Sequence, residues 1–380
     1  MGRVAVARWS SALLIACCAV GPVQGADAEL KWYGYFKMDL VRDSAEPGSG
    51  NGNFITYVKP HLKGDATAIT NLTARQTRLG FNMTRGGAKG NLEYDFYGAG
   101  DEHKNSVQLR KAYVDVPLGR WSLRAGQDSD LISPLTPSTL NYTVCWGVGN
   151  IGYRRPQVRL YTQQGGLYAG VALVRNISTA VAKKADGTTV TGDLNLDGIN
   201  DADAGLPVVQ GRLGWTAATG GHKMTVGVSG HYGAMEAGTR DYTTWSAGGD
   251  LVAEVNKKVK LQAEAYTGDN TATYHGAIMD PDTEDGTSSV GGWANVVCKA
   301  TDKVDVSLGA GLDQVDKKDL GPASRKANSV FFGNAQYGLG SGASVGLEVA
   351  RWATEYHLPA AGNATTPSDL RVQLSVQGSF

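Results

Sequence analysis

Cysteine is scarce: the chain has 4 in 380 residues, and Cys17 and Cys18 fall in the apolar run at the amino end, which leaves Cys145 and Cys298. Two thiols make no disulfide scaffold, and the sequence leaves open whether they pair. Neither charge is in excess, with 36 Lys plus Arg against 36 Asp plus Glu, which argues against the wide basic field of a nucleic-acid binder. After the amino-terminal run there is no long apolar stretch, and so no transmembrane helix. There is also no repeat of roughly forty to fifty residues, as a propeller would need. A sandwich would need Greek-key jumps and usually fewer strands. With 51 Gly, 8 Trp and 16 Tyr, the composition suits many strands with polar inner faces better than a large helical core.

The amino end reads as a secretory leader. Arg3 and Arg8 precede the apolar run 12–20, and small residues follow it. Residues 1–25 are assigned as signal peptide, with cleavage as late as residue 28 also compatible, and residues 29–380 as a single domain. Leu14-Ile15-Ala16-Cys17 has the form of a lipobox, but the apolar run continues past it to a second cleavage site.

The carboxyl end shows the fold class. From Leu370 to Phe380, Leu370, Val372, Leu374, Val376 and Phe380 fall on one side of an extended chain and Arg371, Gln373, Ser375, Gln377 and Ser379 on the other. About ten alternating residues suit a tilted strand crossing a bilayer. The rest of the chain divides into about sixteen such strands, the first Leu30 to Val41 and the second Arg75 to Thr84. Short Gly-rich connections such as 85–89, 164–165 and 219–221 alternate with long ones, among them 42–74, 128–153 and 268–289. The expected fold is all-β: a transmembrane antiparallel up-and-down β-barrel, with both chain ends on the short-turn, periplasmic side. Trp32, Trp121, Tyr168, Trp215, Trp293 and Trp352, near strand ends, are expected in the interfacial aromatic girdle.

About sixteen strands enclose a lumen too wide for side chains to fill, hence a water path. Parity turns Arg78, Glu93, Asp95, Arg124, Arg155, Arg159 and Arg212 inward. Arg110 shares parity with Ala112 and Val114 and faces in only if a bulge intervenes. The arginines gather in the first half of the barrel and make one wall basic, with Glu93, Asp95, Asp128 and Asp130 supplying negative charge. Guanidinium groups favour anions, above all carboxylates able to take two hydrogen bonds. The segment 128–140 is too apolar to stand free in water and carries two prolines, so it is expected to fold into the lumen and narrow it. A further loop, 193–203, places Asp193, Asn195, Asp197 and Asp201 at alternating positions around Gly198, a calcium-type spacing that lacks an acid at the twelfth position.

The runs 73–81, 90–98, 109–114 and 123–127, with Arg75-Gln76-Thr77-Arg78, Glu93-Tyr94-Asp95-Phe96-Tyr97, Leu109-Arg110-Lys111 and Leu123-Arg124-Ala125-Gly126, resemble the amino-terminal half of the DcaP-like porins over residues 70–165. The resemblance implies a trimeric outer-membrane channel of a Gram-negative bacterium, associated with dicarboxylate uptake and basic at its constriction. The terminal Phe380 on the apolar face resembles the signature that the barrel-assembly machinery reads, and outer-membrane lipid and lipopolysaccharide are the implied surroundings. A passive channel for small hydrophilic solutes, anions foremost, leads. A barrel enzyme of lipase or protease type and a surface adhesion protein are the rival readings. His61, His103, His222, His231, His275 and His357 sit in no catalytic motif. No catalytic residue, nucleic-acid partner or cofactor other than that calcium is expected.

Overall fold

Gly-Gly turns set the short end of the molecule. At 86–87, 165–166 and 220–221 both residues have positive φ, between 55° and 88°, the geometry of a type I′ hairpin that glycine takes without strain. The computed structural model describes residues 28–48, 54–98, 106–177, 182–183, 189–190, 207–237, 240–279, 286–316, 318 and 320–380. Within these residues the alternation resolves into sixteen antiparallel staves. They are β1 (Glu29–Asp43), β2 in two pieces (Ile69–Thr73 and Arg78–Arg85), β3 (Ala88–Asp95), β4 (Gln108–Leu118), β5 (Trp121–Ser129), β6 (Arg154–Gln164), β7 (Leu167–Val174) and β8 (Val208–Thr219). The second half holds β9 (His222–Ala237), β10 (Arg240–Glu254), β11 (Val259–Asp269), β12 (Ser288–Lys299), β13 (Val304–Val315), β14 (Arg325–Gly340), β15 (Ala343–Tyr356) and β16 (Ser368–Ser379). Each pairs with its neighbours in sequence, and β16 closes on β1 in the register Met38↔Val376 and Leu40↔Leu374, so the barrel has no free edge.

The second expected strand differs in one respect: Ala74 to Thr77 leave the ladder and split β2. Thr77 repairs the gap. Its Oγ accepts the backbone N–H of Lys37 at 3.1 Å and returns a bond to the Lys37 carbonyl, replacing the missing ladder contact of β1.

The two faces sort as alternation requires. Val158, Leu213, Leu308, Phe331, Leu347 and Val376 are exposed on the outside, while Gln157, Gln210, Gln373 and Ser375 are buried inside. An apolar belt carried by most of the staves is tolerable only in hydrocarbon. No helix among the described residues is long and apolar enough to cross a membrane, and the chain crosses with strands instead. Trp32 and Trp215 belong to the outer face as expected, 64% and 55% exposed. Trp293 and Trp352 do not: both are buried inside the barrel, and Tyr168 also faces the lumen. Alternation turns Trp293 and Trp352 inward, opposite to the exposed Val290 and Val296 of β12 and Leu347 and Val349 of β15, and connections folded into the mouth cover them with apolar neighbours. Ala45, Ile55 and Val58 from the β1–β2 connection, with Cys145 and Val148 from the β5–β6 connection, pack on Trp293, Val330, Phe332, Ala350 and Trp352. The β11–β12 connection, with 3-10 turns at Ala272–Tyr274 and Ala277–Met279, packs Tyr274 with Ile132 and Ile151. Cys145 and Cys298 are both free thiols.

Candidate functional site

The β5–β6 connection crosses the lumen and is tied to the wall at every step, and this fixes the site. Asp130 accepts the Gln210 amide at 2.8 Å and the Tyr153 N–H at 2.8 Å, and the Leu131 N–H goes to Gln210 at 2.9 Å. Glu264 on β11 accepts the Ser133 hydroxyl at 2.6 Å, the Leu135 N–H at 2.7 Å and the Trp293 indole N–H at 3.0 Å. Farther across, Asn334 of β14 donates to the Ser138 carbonyl at 2.7 Å, and Glu348 of β15 accepts the N–H groups of Leu140 and Asn141. The Leu140 carbonyl takes Lys37 Nζ at 2.8 Å and Gln373 Nε2 at 3.0 Å. A buried backbone must find such partners, and inward polar residues of six staves supply them. The seat is close: a Cβ on Gly149 (φ 100°) would stand 2.2 Å from the Gly292 carbonyl oxygen.

The loop leaves a cavity of 610 Å³ against the β2–β8 wall, and its cationic lining is Arg78, Arg110, Lys111, Arg154, Arg159 and Arg212. Arg110 reaches it through a bulge. The β3–β4 register jumps between Glu93↔Lys111 and Tyr94↔Leu109, leaving Arg110 unopposed, so Arg110 and Lys111 both line the lumen. The Arg110 guanidinium then binds Glu93 at 2.7 Å, Asp95 at 2.6 Å and the Tyr142 hydroxyl at 3.0 Å. Arg124 binds Asp115 at 2.9 Å and Asp128, held between the rings of Tyr113 and Tyr161. Arg159 lies 3.7 Å and Lys111 3.6 Å from Asp128, Arg78 lies 3.7 Å from Glu93, and Arg212 binds Asp250.

The residues singled out in the sequence thus fall into two groups. Arg78, Arg110, Arg159, Arg212, Asp128 and Asp130 line the cavity. Arg124, Arg155, Glu93 and Asp95 stand behind it as partners, Arg155 almost fully buried between Asp130 and the Thr273 carbonyl. The calcium-type segment with Asp193, Asn195, Asp197 and Asp201 lies outside the described residues.

No family model and no curated protein matches the sequence. Solved structures do. The outer membrane channel DcaP of Acinetobacter baumannii superposes with a TM-score of 0.74 at 18% identity, covering 93% of this chain and 97% of that one. The anion-selective porin from Comamonas acidovorans follows at 0.60 and 13%, over 93% and 100%. The outer membrane protein OmpT of Vibrio cholerae, in its trimer form, gives 0.56 and 10%, over 93% and 99%. The chain has the porin fold. Within that fold the β5–β6 connection lies across the lumen, tied to the wall by Gln210, Glu264, Asn334 and Glu348.

Three kinds of residue around this cavity are not singled out by the sequence. Lys111 shares the inward parity of Tyr113 and Asp115, and its charge is passed over beside the ambiguous Arg110. Arg154 starts a strand and has outward parity, yet it lines the cavity. Glu264 and Glu348 look in sequence like solvated lumenal acids, and only the loop's arrival makes them its anchors.

Proposed function

We propose that the protein is an outer-membrane channel through which small hydrophilic solutes diffuse passively, with a preference for anions, carboxylates among them. The observation that carries this reading is the 610 Å³ cavity between the inward loop and the basic wall of β2 to β8, in a closed barrel with an apolar exterior. Six cations border that cavity, against Asp128 and Asp130 as bordering acids. An excess of fixed positive charge in a narrow passage raises the local concentration of anions and excludes cations. The likeness to an anion-selective porin and to the DcaP channel agrees with it.

Planar-bilayer recording tests it. Purified protein should conduct, its reversal potential in a salt gradient should lie on the anion side, and succinate or benzoate should block the current. A sealed barrel would return the enzyme and adhesion readings to the front. Deleting Ile132 to Leu140 should raise single-channel conductance, and unchanged conductance would remove the loop from its role.

The assembly we propose is a homotrimer, in keeping with the trimer form of OmpT, surrounded by outer-membrane lipid and lipopolysaccharide; cross-linking in mild detergent gives its size. Calcium in the 193–203 loop is likewise a proposal. Titration calorimetry finding no millimolar-range binding would dismiss it.

A further inference from the structure

Five of the six cations that border the cavity have a carboxylate oxygen within 3.7 Å: Arg78, Arg110, Lys111, Arg159 and Arg212. Each such pair acts at a distance as a dipole, and its field falls off quickly. Arg154 is the sixth. No acid lies within ion-pair distance of it among the described residues, it is 8% exposed, and its Nε and Nη2 donors have no hydrogen-bond partner. Its guanidinium rests on the Tyr153 ring, 4.3 Å from the centroid, and a ring face leaves the charge uncancelled. The neighbouring His275 adds no negative charge, and neither of its ring nitrogens has a partner.

A mostly buried charge without an acid partner is screened much less by salt than an exposed one and is not offset by a neighbour, so more of its field reaches the cavity. We infer that Arg154 is the residue that sets the channel's preference for anions, the field of its unpaired guanidinium drawing the anionic group of a solute into the cavity. The inference rests on the anion-channel reading above and adds which residue decides it.

The test is the reversal potential of reconstituted full-length protein in a KCl gradient. Arg154→Met keeps the bulk and removes a buried unpaired charge, so the barrel should assemble. Its anion-to-cation permeability ratio should fall roughly three- to tenfold, and Arg154→Lys should keep most of the original ratio. An Arg154→Met channel with the unchanged protein's reversal potential overturns the inference. If the unchanged protein itself prefers cations, the anion-channel reading fails, yet Arg154→Met should still shift the potential farther to the cation side. A measurement without mutation serves if the variant does not insert. Selectivity due to a buried charge persists from about 0.1 M to about 1 M salt, and collapse over that range would speak for exposed charges and against Arg154.

Discussion

Glu348, on the inner face of β15, accepts the backbone N–H of Leu140 at 2.6 Å, a bond between residues 208 apart in sequence. The same carboxylate takes the N–H of Asn141 and the amide of Asn334, so one buried acid fastens the far end of the lumenal loop. Glu348→Ala leaves the buried N–H groups of Leu140 and Asn141 without an acceptor, at about 1 to 3 kcal/mol each, while Asn334 keeps its bond to the Ser138 carbonyl. We expect a lower unfolding temperature and a noisier single-channel current, with Glu348→Gln intermediate. A quiet Glu348→Ala channel of normal stability would show that the loop needs no such anchor.

Backbone lies against backbone where Gly149 meets Gly292. A Cβ at Gly149 would stand 2.2 Å from the Gly292 carbonyl oxygen, and φ of 100° is itself unfavourable for other residues. Gly149→Ala should therefore lift the loop from its seat, which altered conductance and faster proteolysis between residues 130 and 153 would report.

His275 has an acid-dependent part in stability. Burial, with Arg154 and Arg155 nearby, lowers its imidazole from the usual 6.5 to about 3, and the ring stacks on Trp146 at 4.3 Å. The unfolded chain takes up a proton on this ring near pH 6.5 and the folded protein only near pH 3. The contribution to stability is thus full above pH 6.5 and is lost as pH falls toward 3. His275→Asn suits the left-handed backbone there (φ 64°) and removes the titration. The unfolding temperature of that variant should fall less steeply between pH 6.5 and 4 than that of the unchanged protein.

Phe380 is 57% exposed on the outer face, its ring 5.6 Å from that of Phe36 across the β1–β16 seam. Deleting Phe380 should cost little once the barrel is formed and much during assembly, if the terminal aromatic is what the assembly machinery engages. Cells should then hold less heat-modifiable barrel, while refolding of the purified chain in detergent is nearly normal; equal loss in both settings would make the residue merely structural.

Most of the architecture could be read from the sequence because a stave in lipid carries its own label: Leu370, Val372, Leu374 and Val376 alternate whatever the neighbouring strands do. The inner face carries no such label, since water, a charge partner or an incoming loop can each cover it. Trp293 and Trp352 have inward parity but lie near strand ends like girdle residues, and only the approach of Ile55, Val58 and Val148 accounts for their burial. Arg110 had ambiguous parity, and the bulge opposite Glu93 and Tyr94 resolved it. Arg154 could not be chosen from among the arginines, because what distinguishes it is the absence of a nearby acid, a property of three-dimensional neighbourhood.

The inward packing of the β1–β2, β5–β6 and β11–β12 connections leaves the lumenal cavity off centre, against one arc of the wall. Strand number then sets the girth of the cylinder but not the size of solute it admits. Two proteins with the same sixteen staves can differ as sieves through a few loop residues alone, and such a molecule can change its diet without rebuilding its shell.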